Sequence, residues 1–576
     1  MISPSMLVRS RTVADPRWSP SGARLGWIDS YDGRSDVVVA PADGSGPPIV
    51  VTGECGAGGG WAWVSDDEFV VGAANGRLML VRADGGVIRE LTRDGRAFSP
   101  SVSVRGEVAC SIERDDACDV ATVPLDGSAW PVRVSTASYA WDPAFSPDGT
   151  ELAWHEWDLP SMSWDASRIV VRDENGKTRV VADAPGCGQP RWSVDGRLAY
   201  ICDNLLHVDG APVLTEPFEH AEPAWGPGAR SFAWSPDGSE LVWCRNEDGF
   251  GRLVIGAVGR KSARELSKGW HRGIAWGDDG ILCVRSGGVT PSQVVVLAPN
   301  GSARRTVARG PVGGFEHTGL IEGRAITWRA GNTTLHGIVW RPAVGAPNRS
   351  KGLIVSVHGG PTSQALVDWN PRIQMWVQQG YTVLQPNYRG STGYGVAYRK
   401  ALDGRWGDRD TADVAAGVKH GLKEGWDGGA GAILIGGSAG GLTVLNVAAE
   451  NPDLIAAVVA LYPVTDLLAL DATTHRFESG YTATLVGALP GARATYVANS
   501  AITRAAKVRA PVLLLHGTND TSVVPSQSAE LEDALRRAGT IVERHLYEGE
   551  GHGWRRAATV GDELERIASF LKRHVG

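Results

Sequence analysis

A short turn sequence recurs at nearly regular intervals through the first half of the chain and restricts the possible folds of this segment. Each copy has an aromatic residue, a serine and a turn with aspartate or glycine, and an apolar alternating run follows it. Clear copies occupy 18–22, 145–149, 192–196 and 234–238, and weaker ones end at 67, 106 and 280. The ends of consecutive copies are separated by 45, 39, 43, 47, 42 and 42 residues. A period near 43 is typical of the four-stranded blades of a β-propeller.

The distribution of tryptophan supports the same interpretation. Fifteen of the 22 tryptophans precede residue 311, and large rings that recur with a repeat are suited to fill the wedges between neighbouring blades. In the turns, proline fixes φ and glycine takes the position with positive φ. We therefore predict a seven-bladed β-propeller over 15–310. A short N-terminal segment, 1–14, precedes it and is available to pack on the domain that follows the propeller.

Charge and composition exclude several classes of function. The chain has 576 residues and a net charge of −7, which argues against a nucleic-acid partner. It contains no run of about 18 apolar residues, so we expect no membrane partner. The seven cysteines all lie in the first half and match neither a disulfide framework nor a metal site. This cysteine pattern predicts buried thiols. Together with the lack of an apolar signal-peptide core at the N-terminus, it also predicts a cytoplasmic location.

The second half of the chain, 311–576, changes its period. Helical segments alternate with short apolar runs, a pattern that predicts a mostly parallel α/β sheet flanked by helices. The strand candidates are 353–357, 381–386, 432–435, 455–461, 512–515 and 542–547, and the helix candidates are 410–422, 440–449, 525–538 and 560–574. Residues 325–342, with Gly331-Asn332 at the turn, predict an antiparallel hairpin at the entry to this domain.

One motif in this half carries the chemistry. The apolar strand 432–435 runs into Gly436-Gly437-Ser438-Ala439-Gly440, and an apolar helix follows. A strand, a Gly-x-Ser-x-Gly turn and a helix form the context of a nucleophile elbow in an α/β-hydrolase, because small residues two positions on either side allow the strained turn. Glycine is common in this chain, so the motif alone is weak, but its flanking elements identify Ser438 as the candidate nucleophile.

A nucleophile elbow requires an acid and then a histidine later in the chain. Asp520 follows the apolar strand 512–515, and His552 lies between two glycines in the loop after strand 542–547. Two other histidines compete for the second role, but His516 adjoins the aspartate turn and His545 lies within a strand. We therefore predict a catalytic triad of Ser438, Asp520 and His552.

The same chemistry needs two backbone N–H groups to stabilise an oxyanion. One is expected from Ala439, which immediately follows the nucleophile. The other is expected from the loop after strand 353–357, which reads His358-Gly359-Gly360-Pro361. Glycines in this loop allow the backbone to approach a substrate closely.

A propeller followed by this order of catalytic residues resembles the prolyl oligopeptidase family of serine peptidases, and within it the acylaminoacyl-peptidase and bacterial dipeptidyl-aminopeptidase-like branch. The residues that carry the resemblance are the motif HGGP at 358–361, NYRGSTGYG at 387–395, Trp406-Gly407 with Asp410 and Asp413, GGSAGG at 436–441, HGTND at 516–520, GHG at 551–553 and the segment 475–481. The resemblance implies that Gly360 and Ala439 supply the oxyanion N–H groups. The chain departs from the family in Ala439, where many relatives have tyrosine, and in lacking an adjacent Glu-Glu pair for a substrate amine.

The family implies hydrolysis of peptide or acyl-amide bonds in short substrates through an acyl-enzyme, with a propeller that excludes folded proteins. This chemistry needs no cofactor and no metal. Two alternatives stay open: the substrate is a non-peptide ester or an aminoacyl-amide metabolite such as an antibiotic, or the propeller is a binding scaffold on an inactive hydrolase. The exposed edges of propeller sheets are also compatible with a homo-oligomer.

Overall fold

The computed structural model describes residues 2–260, 262–310, 315, 319–342 and 351–576. The chain divides into two compact units. We call Arg11–Val312 the propeller unit and the combination of Met1–Ser10 with Gly313–Gly576 the α/β unit. The predicted domain boundary at 310/311 adjoins residues outside the described ranges.

The propeller unit consists of consecutive antiparallel strands grouped into sheets of four. Each of these sheets is built from strands adjacent in the chain, as expected for a blade that folds from one repeat. The five separate four-stranded sheets are β1 (Thr12–Trp18), β2 (Arg24–Tyr31), β3 (Arg34–Pro41) and β4 (Ile49–Val50); β5 (Trp61–Trp63), β6 (Glu68–Gly72), β7 (Leu78–Arg82) and β8 (Val87–Glu90); β17 (Gly188–Trp192), β18 (Leu198–Cys202), β19 (Leu205–Val208) and β20 (Ala211–Pro212); β21 (Phe232–Trp234), β22 (Glu240–Glu247), β23 (Phe250–Ala257) and β24 (Arg264–Lys268); and β25 (Trp270–Gly277), β26 (Gly280–Gly287), β27 (Thr290–Leu297) and β28 (Arg304–Arg309).

The remaining eight strands of this unit form one sheet. They are β9 (Arg96–Val102), β10 (Glu107–Glu113), β11 (Cys118–Pro124), β12 (Val132–Arg133), β13 (Tyr139–Phe145), β14 (Glu151–Trp157), β15 (Ser167–Asp173) and β16 (Thr178–Ala184). Cys118 of β11 pairs in parallel with Tyr139 of β13, and this pair joins the two sets of four strands. The prediction of a propeller is confirmed, whereas five separate four-stranded sheets and one larger sheet replace the seven separate blades that we expected.

The first and last sheets of the propeller unit pack against each other, which closes the array. One apolar cluster contains Val13, Leu25, Trp27, Val38 and Ala40 from the first sheet and Leu282, Val284, Val294 and Val296 from the last. Indole N–H groups also bond to a backbone carbonyl of a neighbouring sheet: Trp18 to Gly280 (3.2 Å), Trp63 to Arg17 (3.4 Å), Trp192 to Ala144 (3.0 Å) and Trp234 to Arg191 (3.2 Å). The recurrent tryptophans therefore combine apolar packing with a polar contact between sheets.

A residue with positive φ recurs at the start of the repeats. These residues are Asp15, Gly60, Ser99, Asp142, Gln189, Gly228 and Gly273. In five of the strands that contain or adjoin them, the pairing register shifts at this point, as it does at a β-bulge. Because all seven residues share this backbone conformation at the start of their repeats, the residues two positions later occupy corresponding places in the repeats.

The turns use the chemistry that their sequence indicates. The Ser146 hydroxyl donates to Asp148 Oδ1 (2.7 Å), and the amide of Glu151 donates back to the Ser146 hydroxyl (2.9 Å). The same bonds join Ser235 to Asp237 (2.6 Å) and Glu240 to Ser235 (2.9 Å). Serine and aspartate therefore fix the turn through local bonds to backbone and side chain.

The cysteines differ from the expectation of seven unpaired thiols. A disulfide joins Cys187 to Cys202, whereas Cys55, Cys110, Cys118, Cys244 and Cys283 are free. Gly188 and Ile201 pair across β17 and β18, so the neighbouring residues Cys187 and Cys202 face each other. A spacing of 15 residues does not reveal such a cross-strand contact, and this is why sequence reasoning missed it.

The α/β unit is built on an eight-stranded sheet. Its order is β29-β30-β32-β31-β33-β34-β35-β36, antiparallel at the β29–β30 and β30–β32 pairs and parallel from β32 onward. The strands are β29 (Arg324–Ala330), β30 (Thr333–Trp340), β31 (Leu353–Val357), β32 (Thr382–Asn387), β33 (Ala432–Gly437), β34 (Ile455–Leu461), β35 (Val512–Gly517) and β36 (Val542–Tyr547). The entry hairpin and all six strand candidates are present within two residues of the predicted bounds.

The structure describes eleven α-helices, all of them in the α/β unit. They are α1 (Pro4–Val8), α2 (Pro371–Gln378), α3 (Val396–Lys400), α4 (Arg409–Lys423), α5 (Ala439–Glu450), α6 (Leu467–Thr473), α7 (Tyr481–Val486), α8 (Arg493–Asn499), α9 (Ala501–Arg504), α10 (Ser526–Arg537) and α11 (Ala557–His574). The four predicted helices correspond to α4, α5, α10 and α11. Across the described ranges, none of these helices is long and apolar enough to cross a bilayer.

Helix α1 belongs to the α/β unit although the propeller unit separates it from the rest in sequence. Ile2 and Leu7 are buried, and the amide of Ile2 donates to Gln378 Oε1 at 2.7 Å. Gly561 of α11 lies so close to α1 that an added Cβ would stand 2.8 Å from Val8 Cγ2. The first ten residues therefore complete the packing of this unit.

Candidate active site

Ser438 occupies a sharp turn between β33 and α5. Its φ and ψ are 56° and −125°, a combination that non-glycine residues rarely adopt. The amide of Ser438 donates to the Leu461 carbonyl at 3.0 Å, which fixes the turn to β34. The hydrogen bond to β34 therefore maintains the strained backbone conformation of Ser438. The hydroxyl lies at the carboxyl end of β33, which is where a nucleophile elbow places it.

The glycines of the motif are required by close packing around this turn. A Cβ on Gly436 would lie 2.3 Å from the Gly440 carbonyl oxygen, and a Cβ on Gly440 would lie 2.5 Å from the Val357 carbonyl oxygen. Both distances are far below van der Waals contact, so side chains at these positions would displace backbone. The strand, the elbow and the helix meet only because these residues have no side chain.

Asp520 follows β35 and is bound at both carboxylate oxygens. Its Oδ1 accepts hydrogen bonds from the amides of Ser522 and Val523, both at 2.9 Å, and its Oδ2 accepts one from His552 Nδ1 at 2.7 Å. Burial alone would raise the pKa of Asp520, but hydrogen bonds from His516 and His552 outweigh it and hold the pKa below the ordinary value. The carboxylate is therefore anionic across the neutral range.

His552 connects the other two residues. Its Nδ1 bonds to Asp520, and its Nε2 lies 2.9 Å from Ser438 Oγ. The structure thus brings the three predicted triad residues into one hydrogen-bonded chain, although 114 residues separate Ser438 from His552. An imidazole held in this way by a buried carboxylate presents its free nitrogen lone pair to the hydroxyl.

The competing histidines lie elsewhere. His516 is buried, bonds to Ser528 Oγ (2.6 Å) and to the Val523 carbonyl (2.8 Å), and stands 3.3 Å from Asp520 Oδ2. His516 therefore contacts the carboxylate of Asp520 and, among the described contacts, forms no hydrogen bond with Ser438. His545, on β36, lies 3.9 Å from Asp562 and packs against Tyr547.

The loop His358–Pro361 lies beside the nucleophile. A Cβ on Gly359 would stand 3.2 Å from Ser438 Cβ and 3.7 Å from the Ala439 nitrogen. Gly360 has a φ of +116°, where a side chain would be strained and its Cβ would lie 2.9 Å from the Thr362 nitrogen. Within the described part of the chain, the N–H groups of Gly360 and Ala439 donate to no other group. They are available to a ligand at the elbow.

His358 anchors this loop as a neutral side chain. Its ring stacks on Tyr388 at 4.5 Å, its Nε2 lies 2.9 Å from Ser391 Oγ, and its Nδ1 lies 2.9 Å from the Gly359 carbonyl oxygen. Burial lowers the pKa of His358 to about 4. The imidazole is therefore uncharged at neutral pH, and it fixes the loop without adding charge beside Ser438.

Two tyrosines contribute to the site that sequence reasoning did not single out. The Tyr481 hydroxyl donates to Thr362 Oγ1 (2.6 Å) and accepts from the Thr362 amide (3.1 Å), which ties α7 to the loop after Gly360. The Tyr462 ring packs 4.6 Å from the ring of His552. Tyr481 is the last residue of the segment 475–481, which resembles the family. The only sequence feature that could have indicated Tyr462 is its position directly after β34.

The arrangement has what acyl transfer needs: a hydroxyl on a strained turn, an imidazole base, a buried carboxylate and two available N–H groups. No cluster of three or more metal-binding side chains occurs among the residues that the structure describes.

Comparisons with known proteins relate part of the chain to one family. Residues 367–576 match the prolyl oligopeptidase family. The dipeptidyl peptidase family member 6 of Caenorhabditis elegans is 29% identical over 231 residues, which are 39% of this chain and 31% of that protein. The acylamino-acid-releasing enzyme of Mus musculus is 29% identical over 239 residues, 40% of this chain and 32% of that protein. The matched part spans about a third of the length of these relatives.

The likeness to solved structures extends over both units. A crystal structure of a puromycin hydrolase has a TM-score of 0.90 and 28% identity, and the match covers 99% of this chain and 95% of that one. The family match contains Ser438, Asp520 and His552, the residues that the structure joins by hydrogen bonds. Residues 367–576 of the α/β unit are thus similar to the prolyl oligopeptidase family.

Proposed function

We propose that this protein is a serine hydrolase that cleaves peptide or acyl-amide bonds in short peptides. The observation that carries the proposal is the hydrogen-bonded chain from Ser438 Oγ through His552 to Asp520, with distances of 2.9 and 2.7 Å. The likeness to the acylamino-acid-releasing enzyme and to the puromycin hydrolase supports an amide substrate.

In the proposed reaction, His552 Nε2 takes the Ser438 proton while Oγ attacks the carbonyl carbon. The resulting oxyanion accepts hydrogen bonds from the N–H groups of Gly360 and Ala439. Collapse of the tetrahedral adduct breaks the C–N bond, and His552 returns the proton to the leaving amine. A water molecule, deprotonated by the same imidazole, then hydrolyses the acyl-enzyme and restores the hydroxyl of Ser438.

The direct test replaces Ser438 with alanine and measures turnover of acylaminoacyl, aminoacyl and prolyl p-nitroanilides. We expect a loss of nearly all activity, whereas Ser526→Ala, which changes an exposed serine of the same unit, should retain it. A fluorophosphonate probe should label the wild-type protein at Ser438. Wild-type turnover by Ser438→Ala would disprove the assignment, and absence of labelling would favour the inactive binding scaffold.

A second candidate substrate is an aminoacyl-amide antibiotic, and the full-length likeness to a puromycin hydrolase favours it specifically. The same triad serves this substrate, because the scissile bond is again an amide. Incubation with puromycin, followed by mass spectrometry, should then detect both products of amide hydrolysis. Rapid turnover of p-nitrophenyl esters with no turnover of any amide would contradict the peptidase and the antibiotic proposals together.

We also propose that the eight-stranded sheet represents two blades, which gives the propeller unit seven. Two observations support this count. The sheet is two sets of four consecutive strands joined by one residue pair, and the seven positive-φ residues recur at intervals of 39 to 47 residues, the same range as the turn repeat. The cytoplasmic location and the homo-oligomer stay predictions.

A further inference from the structure

The propeller unit contains a cavity of about 600 Å³. Its wall is formed by the first strands of successive repeats and includes several aromatic side chains, among them Trp18, Trp63, Phe145, Trp192 and Trp276. A volume in this range accommodates a small-molecule or short-peptide ligand. All of the residues that line the cavity belong to the propeller unit.

Three arginines line this cavity at equivalent positions of different repeats. Each follows the positive-φ residue of its repeat by two positions, and the other repeats carry alanine or serine there. The pairs are Arg17 after Asp15, Arg191 after Gln189 and Arg230 after Gly228, and the small residues are Ala62, Ser101, Ala144 and Ala275. The repeat therefore directs three guanidinium groups into a space that the small residues leave open.

The acidic groups nearby do not neutralise all three cations. Arg17 and Arg230 share one carboxylate, since they lie 3.2 and 3.1 Å from Asp15. In the described ranges no carboxylate pairs with Arg191, which donates instead to the carbonyls of Pro190 (2.6 Å) and Ala229 (3.3 Å). Asp15 therefore balances only one of the three positive charges.

The second aspartate, Asp142, is largely occupied. Its Oδ1 accepts from Ser99 Oγ (2.8 Å) and from the Gly228 amide (2.6 Å), and its Oδ2 lies 3.8 Å from His155 Nδ1. Burial lowers the pKa of His155, so this imidazole is neutral at pH 7. Three guanidinium groups against two carboxylates leave the cavity with one net positive charge.

Burial makes that excess charge costly. Only 9% of the Arg230 side chain is exposed, and in the described part of the chain its buried Nε has no hydrogen-bond partner. Burial lowers the pKa of Arg230 to about 9, and it also lowers the pKa of Arg191. An anion in the cavity would supply the missing charge.

We propose that this cavity binds the free α-carboxylate of a short peptide with apolar side chains. A single uncompensated charge matches a monoanion better than a phosphate dianion, and a planar carboxylate matches the two-pronged donor geometry of a guanidinium. The tryptophan and phenylalanine walls suit apolar side chains. Arg191, which forms no close ion pair within the described ranges, is the main contact, and Arg230 is the second. This site goes beyond the proposed hydrolase activity, because it lies in the other unit.

The test measures binding rather than turnover, in a Ser438→Ala background that cannot hydrolyse the probe. Isothermal titration compares N-acetyl-phenylalanyl-alanine with its C-terminal amide, two peptides that differ only in the carboxylate. We expect the acid to bind at least tenfold more tightly than the amide. Arg191→Met should remove this preference, and Arg191→Lys should keep part of it, because it retains the charge but not the guanidinium geometry. Arg179→Met, on the outer strand β16, should leave the preference unchanged.

Several results would overturn the proposal. Equal affinity for acid and amide in the Ser438→Ala protein, or binding of neither, would exclude a carboxylate site whether or not the arginine variants fold. A preference for the acid that survives in folded Arg191→Met would place the carboxylate elsewhere, including at the Ser438 site. Tighter binding of inorganic phosphate than of the acid would contradict the monoanion argument. If the proposed catalytic function were wrong, these binding results would keep the same meaning, because every measurement uses the Ser438→Ala protein, which performs no catalysis.

Discussion

The hydroxyl of Tyr481 offers a way to change the oxyanion loop without touching the triad. It bonds to both the hydroxyl and the amide of Thr362, two residues after Gly360. Tyr481 and Thr362 are both buried, at 5% and 4% exposure. Tyr481→Phe removes both bonds and preserves the ring, so the expected effect is a loosened loop in an otherwise intact site.

The magnitude follows from the two lost bonds. A buried hydrogen bond contributes about 0.5–1.5 kcal/mol net, and an imperfectly compensated buried group costs about 1–3 kcal/mol. We therefore expect the free energy of unfolding to fall by about 2 kcal/mol. One oxyanion donor is worth about 2.7–4 kcal/mol in the transition state. If half of that is lost when the Gly360 N–H shifts, kcat falls by about tenfold to thirtyfold. KM should change little, because the oxyanion exists only after the attack.

The assay is steady-state hydrolysis of the best p-nitroanilide, with thermal unfolding of the same preparations. Tyr496→Phe is the matched control: Tyr496 is fully buried in the same unit, and its hydroxyl bonds only weakly to Asp471 at 3.5 Å. A folded Tyr481→Phe protein with wild-type kcat would refute the reasoning. So would an increase in KM with kcat unchanged, because that pattern indicates lost substrate binding rather than lost oxyanion stabilisation.

Three further outcomes test other parts of the α/β unit. Gly436→Ala would place a Cβ 2.3 Å from a backbone oxygen, so it should abolish activity and lower Tm; an active, stable variant would contradict the elbow packing. Arg389→Gln should cost roughly 2–4 kcal/mol by denaturant unfolding, because it leaves the buried carboxylate of Asp413 without its two-pronged partner, whereas Arg509→Gln, at an exposed ion pair, should have little effect. Burial raises the pKa of Asp410 to about 6. Between about pH 4 and 6 the native state therefore keeps the Asp410 proton, whereas the unfolded chain has lost it. The free energy of unfolding should consequently fall as pH rises over this range. The stability of Asp410→Asn relative to wild type should therefore increase by up to about 3 kcal/mol over that range, and a constant difference would refute this.

The hydrogen-bonded group of Ser438, Asp520 and His552 was predictable because each residue has a local signal. Ser438 lies in a motif whose glycines are dictated by contacts within a few residues, and Asp520 and His552 each follow a recognisable strand. The parallel sheet places the carboxyl ends of these strands along one edge. Their order in the chain was therefore enough to bring them together.

The supporting residues were not predictable in the same way. The hydrogen bond between Tyr481 and Thr362 joins residues 119 positions apart, and no sequence pattern at either position predicts the other as its partner. The disulfide between Cys187 and Cys202 depends on the pairing register of two strands. The arginines of the propeller cavity are similar: the turn period was visible in the sequence, but the positive-φ positions two residues before Arg17, Arg191 and Arg230 are a property of the folded backbone. Sequence periodicity locates repeats, whereas register decides which side chains meet.

The packing of α1 against α11 has a consequence for biosynthesis. The chain leaves the α/β unit after Ser10 and re-enters it at Gly313, so α1 is translated before the propeller unit, whereas its partner helix α11 is translated after it. During synthesis the complete propeller unit can fold while Ile2 and Leu7 still lack their partners. At about 5–20 residues per second, that interval lasts on the order of half a minute or more. We therefore expect α1 to stay accessible to chaperones in the nascent chain until α11 is released.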